Sequence, residues 1–180
     1  SAAMGTRLHE VESRNVTYVA DHWPVFWTQA VGANVVDADG NVFMDLTSAF
    51  GVALLGHASP TVRAALESGA SLIHGMGDIH PPAPKLELLE KLVAFSPWPD
   101  AKVILSTGGS EAVEGALKTS ALASGRSGVL AFEGAYHGRT AGSLSATPRP
   151  HFRAHFEDRL YRGVTFVPFP DPLRDPTPGG

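Results

Sequence analysis

A turn of small residues joins a short apolar run to a helix-forming run near the middle of the chain. Residues 103–105 are apolar, and Gly108, Gly109 and Ser110 follow them before an alanine-rich segment. The start of a helix presents unpaired N–H groups and a partial positive charge, and glycine lets an anion approach the backbone closely. These residues therefore suit a phosphate, with the hydroxyls of Thr107 and Ser110 as further donors. On spacing alone, a tight turn in which Thr107 or Ser110 caps the helix fits equally well.

A second motif lies about 25 residues further along the chain. There the apolar residues 128–132 lead into Tyr136, His137 and Gly138. An aromatic ring at the end of a strand can stack on a flat ligand. Taken alone, Tyr136 fits better as an aromatic of a core or rim, and only the preceding phosphate turn favours ring binding.

The two motifs together resemble the class III aminotransferases, which depend on pyridoxal phosphate and include ornithine and 4-aminobutyrate aminotransferases. The upstream residues 35–46 and 55–60 are similar to the amino-terminal portion of that family in order and spacing, so the resemblance covers about residues 20–150. It implies an α/β chain of the fold type I pyridoxal-phosphate-dependent transferases. The chain would hold the amino-terminal segment and the first part of the large, mainly parallel-sheet cofactor domain.

The resemblance also implies roles for individual residues of the two motifs. Gly108, Gly109 and Ser110 would hold the phosphate of pyridoxal phosphate through backbone N–H groups and the serine hydroxyl. Tyr136 would stack on the pyridine ring, with His137 beside it. The family often has serine where this chain has Gly108, so the cup would rely more on the backbone.

Phe50 matches by position an aromatic residue that lines the substrate pocket in the family. The implied reaction moves an amino group from a primary amine or amino acid to a 2-oxo acid, in a homodimer. The sequence does not identify the donor or the acceptor.

Two family features have no counterpart in this sequence. The chain has four lysines, at positions 85, 91, 102 and 118, and none has the context of the lysine that forms the imine with the cofactor. The Asp-Glu pair that the family uses at the pyridine nitrogen is also missing. We therefore assign no catalytic residue, and expect this segment alone to be an inactive fragment of the enzyme.

Composition excludes several other classes of function. The formal net charge is −4, from 14 basic and 18 acidic residues, which gives no indication of nucleic-acid or membrane binding. The chain has no cysteine, which excludes disulfides and cysteine-ligated metal. No apolar run is long enough for a transmembrane helix and no signal peptide is recognisable. We therefore expect a cytoplasmic protein without a metal site.

Periodicity and turn residues predict the elements that position these motifs. Asp39 and Gly40 between two apolar runs indicate a hairpin of residues 32–37 and 41–46. Helices are expected to begin at Pro60, after Ser59 as N-cap, and at Pro84. The order strand, helix, strand over residues 103–105, 111–123 and 129–132 favours βα units with parallel strands, and a further strand is expected at 164–167.

The resulting domain prediction has three parts. Residues 1–56 form an amino-terminal segment with the hairpin, and residues 57–170 form the first part of the large cofactor-binding domain. Residues 171–180 form a tail rich in proline and glycine that we expect to be a loop or disordered.

Three alternatives stay open. Ser143 lies in a Gly-x-Ser-like segment that resembles a serine hydrolase elbow, although the closing glycine is missing. His151 and His155 have the spacing of two metal ligands, although a surface helix explains them as well. Finally, the chain could be a non-catalytic module for cofactor binding or protein interaction that derives from the aminotransferase family.

Overall fold

The computed structural model describes residues 1–14, 16–18, 20, 22–72, 79–171 and 173. The chain forms two compact units, Ser1–Pro82 and Ala83–Gly180. The domain bounds expected from the sequence stay a prediction. The predicted tail lies outside the described residues except for Asp171 and Leu173.

The first unit is built on a small antiparallel sheet. Strands β1 (Trp27–Val31), β2 (Asn34–Asp37) and β3 (Val42–Met44) pair in that order, with Val35 opposite Phe43. The predicted hairpin is therefore confirmed as β2 and β3. The carboxylate of Asp37 accepts the backbone N–H groups of Asp39 and Asn41, which fixes the turn. Helices α1 (Ala2–Val11) and α3 (Pro60–Gly69) and the short turn α2 (Ser48–Gly51) complete this unit.

The second unit places helices beside a parallel strand pair. Its elements are α4 (Ala83–Phe95), α5 (Gly109–Ser124), β4 (Val129–Phe132), α6 (Ala141–Ser145), α7 (Pro150–Arg153), a 3-10 turn (Glu157–Arg159) and β5 (Val164–Val167). Strands β4 and β5 run parallel, with Val129 opposite Val164, and they confirm the strands predicted at residues 129–132 and 164–167. Helix α5 ends at Gly125, whose φ of 66° is the left-handed conformation that glycine adopts without a Cβ penalty.

One predicted strand is wrong. Residues 103–105 have no strand structure, although Ile104 and Leu105 are large apolar residues. A strand requires the backbone of a neighbour, and neither β4 nor β5 pairs with residues 103–105. Apolar character alone therefore did not decide the conformation of this segment.

The interior of the second unit lies around α6 and β4. Ala131, Leu144, Ala146 and Leu160 are buried there. The same region buries the hydroxyls of Ser143, Ser145 and Thr147, all of which are hydrogen-bonded. Among the helices that the structure describes, none is long and apolar enough to cross a membrane.

Candidate functional site

The first turn of α5 presents backbone donors beside open space. Gly108 precedes the helix in an extended conformation, and the first intrahelical bond runs from Ala112 N–H to the Gly108 carbonyl at 3.0 Å. The N–H groups of Gly109, Ser110 and Glu111 therefore point out of the helix end. A Cβ at position 108 or 109 would meet nothing within 4 Å, so the two glycines leave the backbone accessible.

Thr107 is not a further donor for an anion, contrary to the sequence-based expectation. Its N–H and hydroxyl both donate to Glu111 Oε2, at 2.8 and 2.6 Å. Both bonds run from Thr107, which precedes the N-cap Gly108, to the side chain of Glu111 in the first turn of α5. The bond from the Thr107 hydroxyl, followed by that from its N–H, lowers the pKa of Glu111. Thr107 and Glu111 thus stabilise the turn instead of facing a ligand.

Ser110 joins the two motifs that the sequence singled out. The Arg139 N–H donates to Ser110 Oγ at 3.1 Å, so the serine serves as acceptor and keeps its own proton for donation. Gly138 packs directly on this side chain, with a φ of 125°, and a Cβ there would overlap Ser110 Oγ and approach Ser143 Oγ to 2.7 Å. Position 138 therefore requires glycine, and the loop after Tyr136 and His137 lies against the start of α5.

Tyr136 is a rim residue and not a core residue, since its side chain is 50% exposed. Its ring centroid lies 5.5 Å from that of Phe152, and the Arg149 guanidinium lies 5.8 Å from the ring. The Arg149 side chain also donates to the Gly134 carbonyl at 3.1 Å. These contacts fix the ring while leaving half of its surface free.

His137 and Gly138 are fixed from the other side by Thr147. The His137 N–H donates to Thr147 Oγ1 at 3.0 Å. The Thr147 hydroxyl lies 3.2 Å from the Gly138 carbonyl and 3.0 Å from the Ser143 carbonyl. Sequence reasoning missed this buried threonine, because no local pattern links it to residues ten positions earlier.

Sequence reasoning also missed the hydrogen bonds that Glu114 makes to the segment after Tyr136. In the structure its carboxylate accepts hydrogen bonds from Thr140, Gly142 and Ser143. The pKa of Glu114 is lowered, chiefly by the Thr140 hydroxyl.

Phe50 belongs to the first unit, in a turn of unusual conformation. Ser48, Ala49, Phe50 and Gly51 have φ values of 50°, 49°, 57° and 85°, a left-handed turn with three non-glycine residues. The Phe50 side chain is 96% exposed. It lines an open cavity of about 810 Å³ together with Trp27, Phe43 and other residues of the same unit.

Asp45 holds this left-handed turn. Its carboxylate accepts the N–H and hydroxyl of Thr47 at 2.9 and 2.8 Å and the N–H of Ala49 at 2.8 Å. The His57 ring Nε2 lies 2.8 Å from the same carboxylate. The His57 contact, then the Thr47 hydroxyl, holds the pKa of Asp45 far below its ordinary value.

The structure speaks against the serine hydrolase alternative. Ser143 is fully buried, with 0% of its surface exposed, and its hydroxyl donates to the Thr140 carbonyl at 3.2 Å. A nucleophile must reach its substrate, which this position prevents. For the metal alternative, His151 lies in α7 and His155 beyond its end, and the described residues contain no group of three or more metal-ligating side chains.

Relatives of known activity match most of the chain. It is 34% identical over 154 residues to the alanine/serine racemase of Pyrococcus horikoshii, covering 85% of this chain and 32% of the relative. It is 35% identical over 149 residues to the acetylornithine aminotransferase of Methanopyrus kandleri, covering 83% and 38%. The chain thus spans only 32% to 38% of the length of these proteins.

Solved structures confirm the expected fold class. The taurine:2-oxoglutarate aminotransferase of Bifidobacterium kashiwanohense, solved with pyridoxal phosphate and glutamate, matches with a TM-score of 0.84 at 23% identity over 97% of this chain and 39% of its own. The omega transaminase of Pseudomonas jessenii with pyridoxamine phosphate gives 0.82 at 23% identity, over 97% and 41%. The sequence matches the family described as aminotransferase class-III over residues 16–179, and the chain therefore belongs to that family.

Proposed function

We propose that the protein is a pyridoxal-phosphate-dependent aminotransferase that moves an amino group from a primary amine or amino acid to a 2-oxo acid. Family membership supports this reaction class. The assignment of a cofactor site to this chain rests on one hydrogen bond, from Arg139 N–H to Ser110 Oγ. It brings the loop of Tyr136 to the donor-rich start of α5.

The chemistry of this donor set fits a phosphate monoester. Three outward N–H groups, the free proton of Ser110 and the partial positive charge of a 16-residue helix converge where Gly108 and Gly109 leave space. When bound, pyridoxal phosphate supplies an electron-withdrawing ring that stabilises negative charge next to the substrate nitrogen.

The residues of this chain would hold and orient the cofactor. Gly108, Gly109 and Ser110 bind its phosphate, and the half-exposed ring of Tyr136 covers one face of the pyridine, with His137 beside it. Phe50 contributes apolar surface to the substrate pocket, which its 96% exposure allows.

No catalytic residue is assigned in this chain. All four lysines, at positions 85, 91, 102 and 118, lie among the described residues and are solvent-exposed. A lysine that reacts with an aldehyde must be neutral, which generally requires burial or a cationic neighbour. The proposal therefore gives this chain the binding of the cofactor and not the covalent step.

The decisive experiment uses the natural protein, reconstituted with pyridoxal phosphate. It is incubated with an ¹⁵N-labelled L-amino acid or primary amine and a 2-oxo acid, and the products are separated by mass and by chirality. Transfer of ¹⁵N to the 2-oxo acid is the expected result. If instead the labelled L-amino acid is converted to its D-enantiomer and no ¹⁵N reaches the 2-oxo acid, the reaction is racemisation, the activity named for the Pyrococcus horikoshii relative, and the proposed amino transfer is wrong.

The proposal includes a homodimer in the cytoplasm. Large apolar side chains such as Leu122, Phe95 and Leu130 are 87%, 88% and 75% exposed in the single chain, and burial against protein would remove them from water. Sedimentation of the natural protein tests the dimer, because a monomer at all concentrations contradicts it. Cell fractionation tests the location.

A further inference from the structure

One carboxylate oxygen links helix α5 to the start of helix α6. Glu114 Oε1 accepts the Thr140 hydroxyl at 2.7 Å, the Gly142 N–H at 2.6 Å and the Ser143 N–H at 3.3 Å. The amides at the start of a helix lack intrahelical partners, so an anion from elsewhere in the chain can satisfy them. Glu114 thus caps α6 from a different helix.

The local sequence is adapted to this contact. Gly142 Cα lies so close to Glu114 that a Cβ would meet the carboxyl carbon at 2.8 Å and Oε1 at 2.9 Å. Only glycine lets the residue 142 amide approach the carboxylate without a shift of one partner. Glu114 is an ionised carboxylate at neutral pH, which strengthens each of the three bonds, and the Thr140 hydroxyl lowers its pKa further.

Ser110 provides a second tie one helical turn earlier. Residues four apart lie on the same face of a helix, so Ser110 and Glu114 both face the segment after Tyr136. Ser110 accepts the Arg139 N–H, and Glu114 holds residues 140–143. The start of α5 is therefore hydrogen-bonded to the segment after Tyr136 at two successive helical turns.

We propose that Glu114 is a positioning residue for the cofactor ring: by holding residues 140–143 on α5, it sets Tyr136 at a fixed place relative to the phosphate-binding turn of the same helix. This inference rests on the proposed function, because it takes Tyr136 and the start of α5 as the two halves of one cofactor site. The role assigned to Glu114 is indirect, because its carboxylate is already bonded to Thr140, Gly142 and Ser143.

The consequence is an unequal effect on two ligands. Inorganic phosphate needs only the backbone donors and Ser110, whereas pyridoxal phosphate also needs the Tyr136 ring in place. In the natural apoprotein, we expect Glu114→Ala to raise the dissociation constant of pyridoxal phosphate about tenfold and that of inorganic phosphate less than about twofold. Glu87→Ala, at an exposed acid of α4 in the same unit, is the matched control and leaves both constants unchanged.

The conservative variant separates hydrogen bonding from charge. All three donors converge on one oxygen of Glu114, and glutamine retains one such oxygen. Glu114→Gln should therefore recover most of the affinity for pyridoxal phosphate, to within about threefold of the wild type. In a double-mutant cycle, Glu114→Ala should add little to Tyr136→Ala, because the ring that it positions is then absent.

A measurement without any cofactor tests the contact between Glu114 and residues 140–143. Amide hydrogen exchange in peptides covering residues 137–146 should speed up in Glu114→Ala, while peptides of β4 and β5 keep the wild-type rates. Should Glu114→Ala fail to fold, Thr140→Val removes one of the three donors and retains the charge. It should change the same quantities in the same direction, by a smaller factor.

The outcomes distinguish this inference from the proposed function. Equal weakening of both ligands, full additivity with Tyr136→Ala or unchanged exchange of residues 137–146 would overturn the positioning role while leaving the cofactor site in place. A wild-type apoprotein that binds no pyridoxal phosphate would overturn the proposed function and this inference with it.

Discussion

At the scale of single residues, Ser110 has two hydrogen-bonding roles in one hydroxyl. Its oxygen accepts the Arg139 N–H at 3.1 Å, and its proton is available for an anion at the start of α5. A serine can do both at once because a hydroxyl carries one donor and two acceptor lone pairs. In the proposed cofactor site, its substitution would therefore remove a donor to the phosphate and also an acceptor that holds the loop after Tyr136.

We expect Ser110→Ala in the natural protein to weaken pyridoxal phosphate binding by about 1 to 3 kcal/mol, the range for a lost bond to a charged group. Inorganic phosphate should lose affinity as well, in contrast to Glu114→Ala, because the phosphate contact is common to both ligands. Titration of the apoprotein measures both constants. Ser120→Ala, on an exposed position of α5, is the control, and unchanged phosphate affinity in Ser110→Ala would remove Ser110 from the site.

At the scale of elements, the contact between α5 and α6 depends on a glycine. Gly142 and Gly115 both lie inside helices, where alanine is favoured over glycine by about 1 kcal/mol. A Cβ at position 115 meets nothing within 4 Å, whereas a Cβ at position 142 meets the carboxyl carbon of Glu114 at 2.8 Å. The same substitution should therefore have opposite signs at the two sites.

We expect Gly115→Ala to raise the free energy of unfolding by about 0.5 to 1 kcal/mol, through helix propensity. Gly142→Ala should lower it by about 1 to 3 kcal/mol, because the clash overrides the propensity. Urea unfolding, monitored by circular dichroism, compares the two variants with the wild type. Stabilisation by Gly142→Ala would show that Glu114 moves away at little cost.

The left-handed turn Ser48–Gly51 depends on Asp45 in a similar way. Left-handed dihedral angles cost about 1 to 2 kcal/mol for each residue with a Cβ, so Ser48, Ala49 and Phe50 need contacts that hold them. Asp45 supplies these contacts through Thr47 and Ala49. The His57 contact, then the Thr47 hydroxyl, lowers the pKa of Asp45, which favours the ionised form that accepts these bonds.

A depressed carboxyl pKa gives stability that is present above the unfolded-state pKa, about 3.9 for aspartate, and is lost as the pH falls through the folded-state value. We therefore expect Asp45→Asn to be less stable than the wild type at pH 5, with a difference that narrows as the pH falls below about 4. Urea unfolding at pH 5, 4, 3 and 2 measures the difference, with the exposed Glu67→Gln as control. If the difference in the free energy of unfolding between the two proteins stays constant across this range, the ionised carboxylate of Asp45 does not stabilise the turn.

The sequence predicted the elements whose signals are local. Helix α5 and strands β4 and β5 follow from the apolar patterning of residues 111–123, 129–132 and 164–167. It did not predict the left-handed turn, because serine, alanine and phenylalanine have no preference for that conformation. The bonds of Glu114 were missed because they join residues 26 to 29 positions apart, which no periodicity encodes.

At the scale of the whole molecule, the turn of Gly108, Gly109 and Ser110 and the loop of Tyr136, the two parts of the proposed cofactor site, lie in one compact unit. It covers 32% to 38% of the length of the alanine/serine racemase and acetylornithine aminotransferase relatives. Its lysines, in contrast, are scattered: Lys85 and Lys91 lie on α4, Lys118 lies on α5, and Lys102 precedes the phosphate turn. All are exposed, so the structure provides binding groups without a desolvated amine.

This separation of binding from covalent chemistry leads to a prediction for residues 1–180 alone. Only a neutral amine attacks an aldehyde, and removal from water is a usual way to neutralise a lysine, whereas all four lysines of this chain are exposed. We therefore expect this chain to bind pyridoxal phosphate weakly and non-covalently, through the turn of Gly108, Gly109 and Ser110, without amino transfer. Borohydride reduction after incubation with the cofactor, followed by peptide mass mapping, should show only sparse labelling spread over several lysines. The Ser110→Ala chain serves as the matched control, since it should lose the non-covalent binding and keep the same sparse labelling. Stoichiometric labelling of one lysine, accompanied by amino transfer, would instead place the covalent step within this chain.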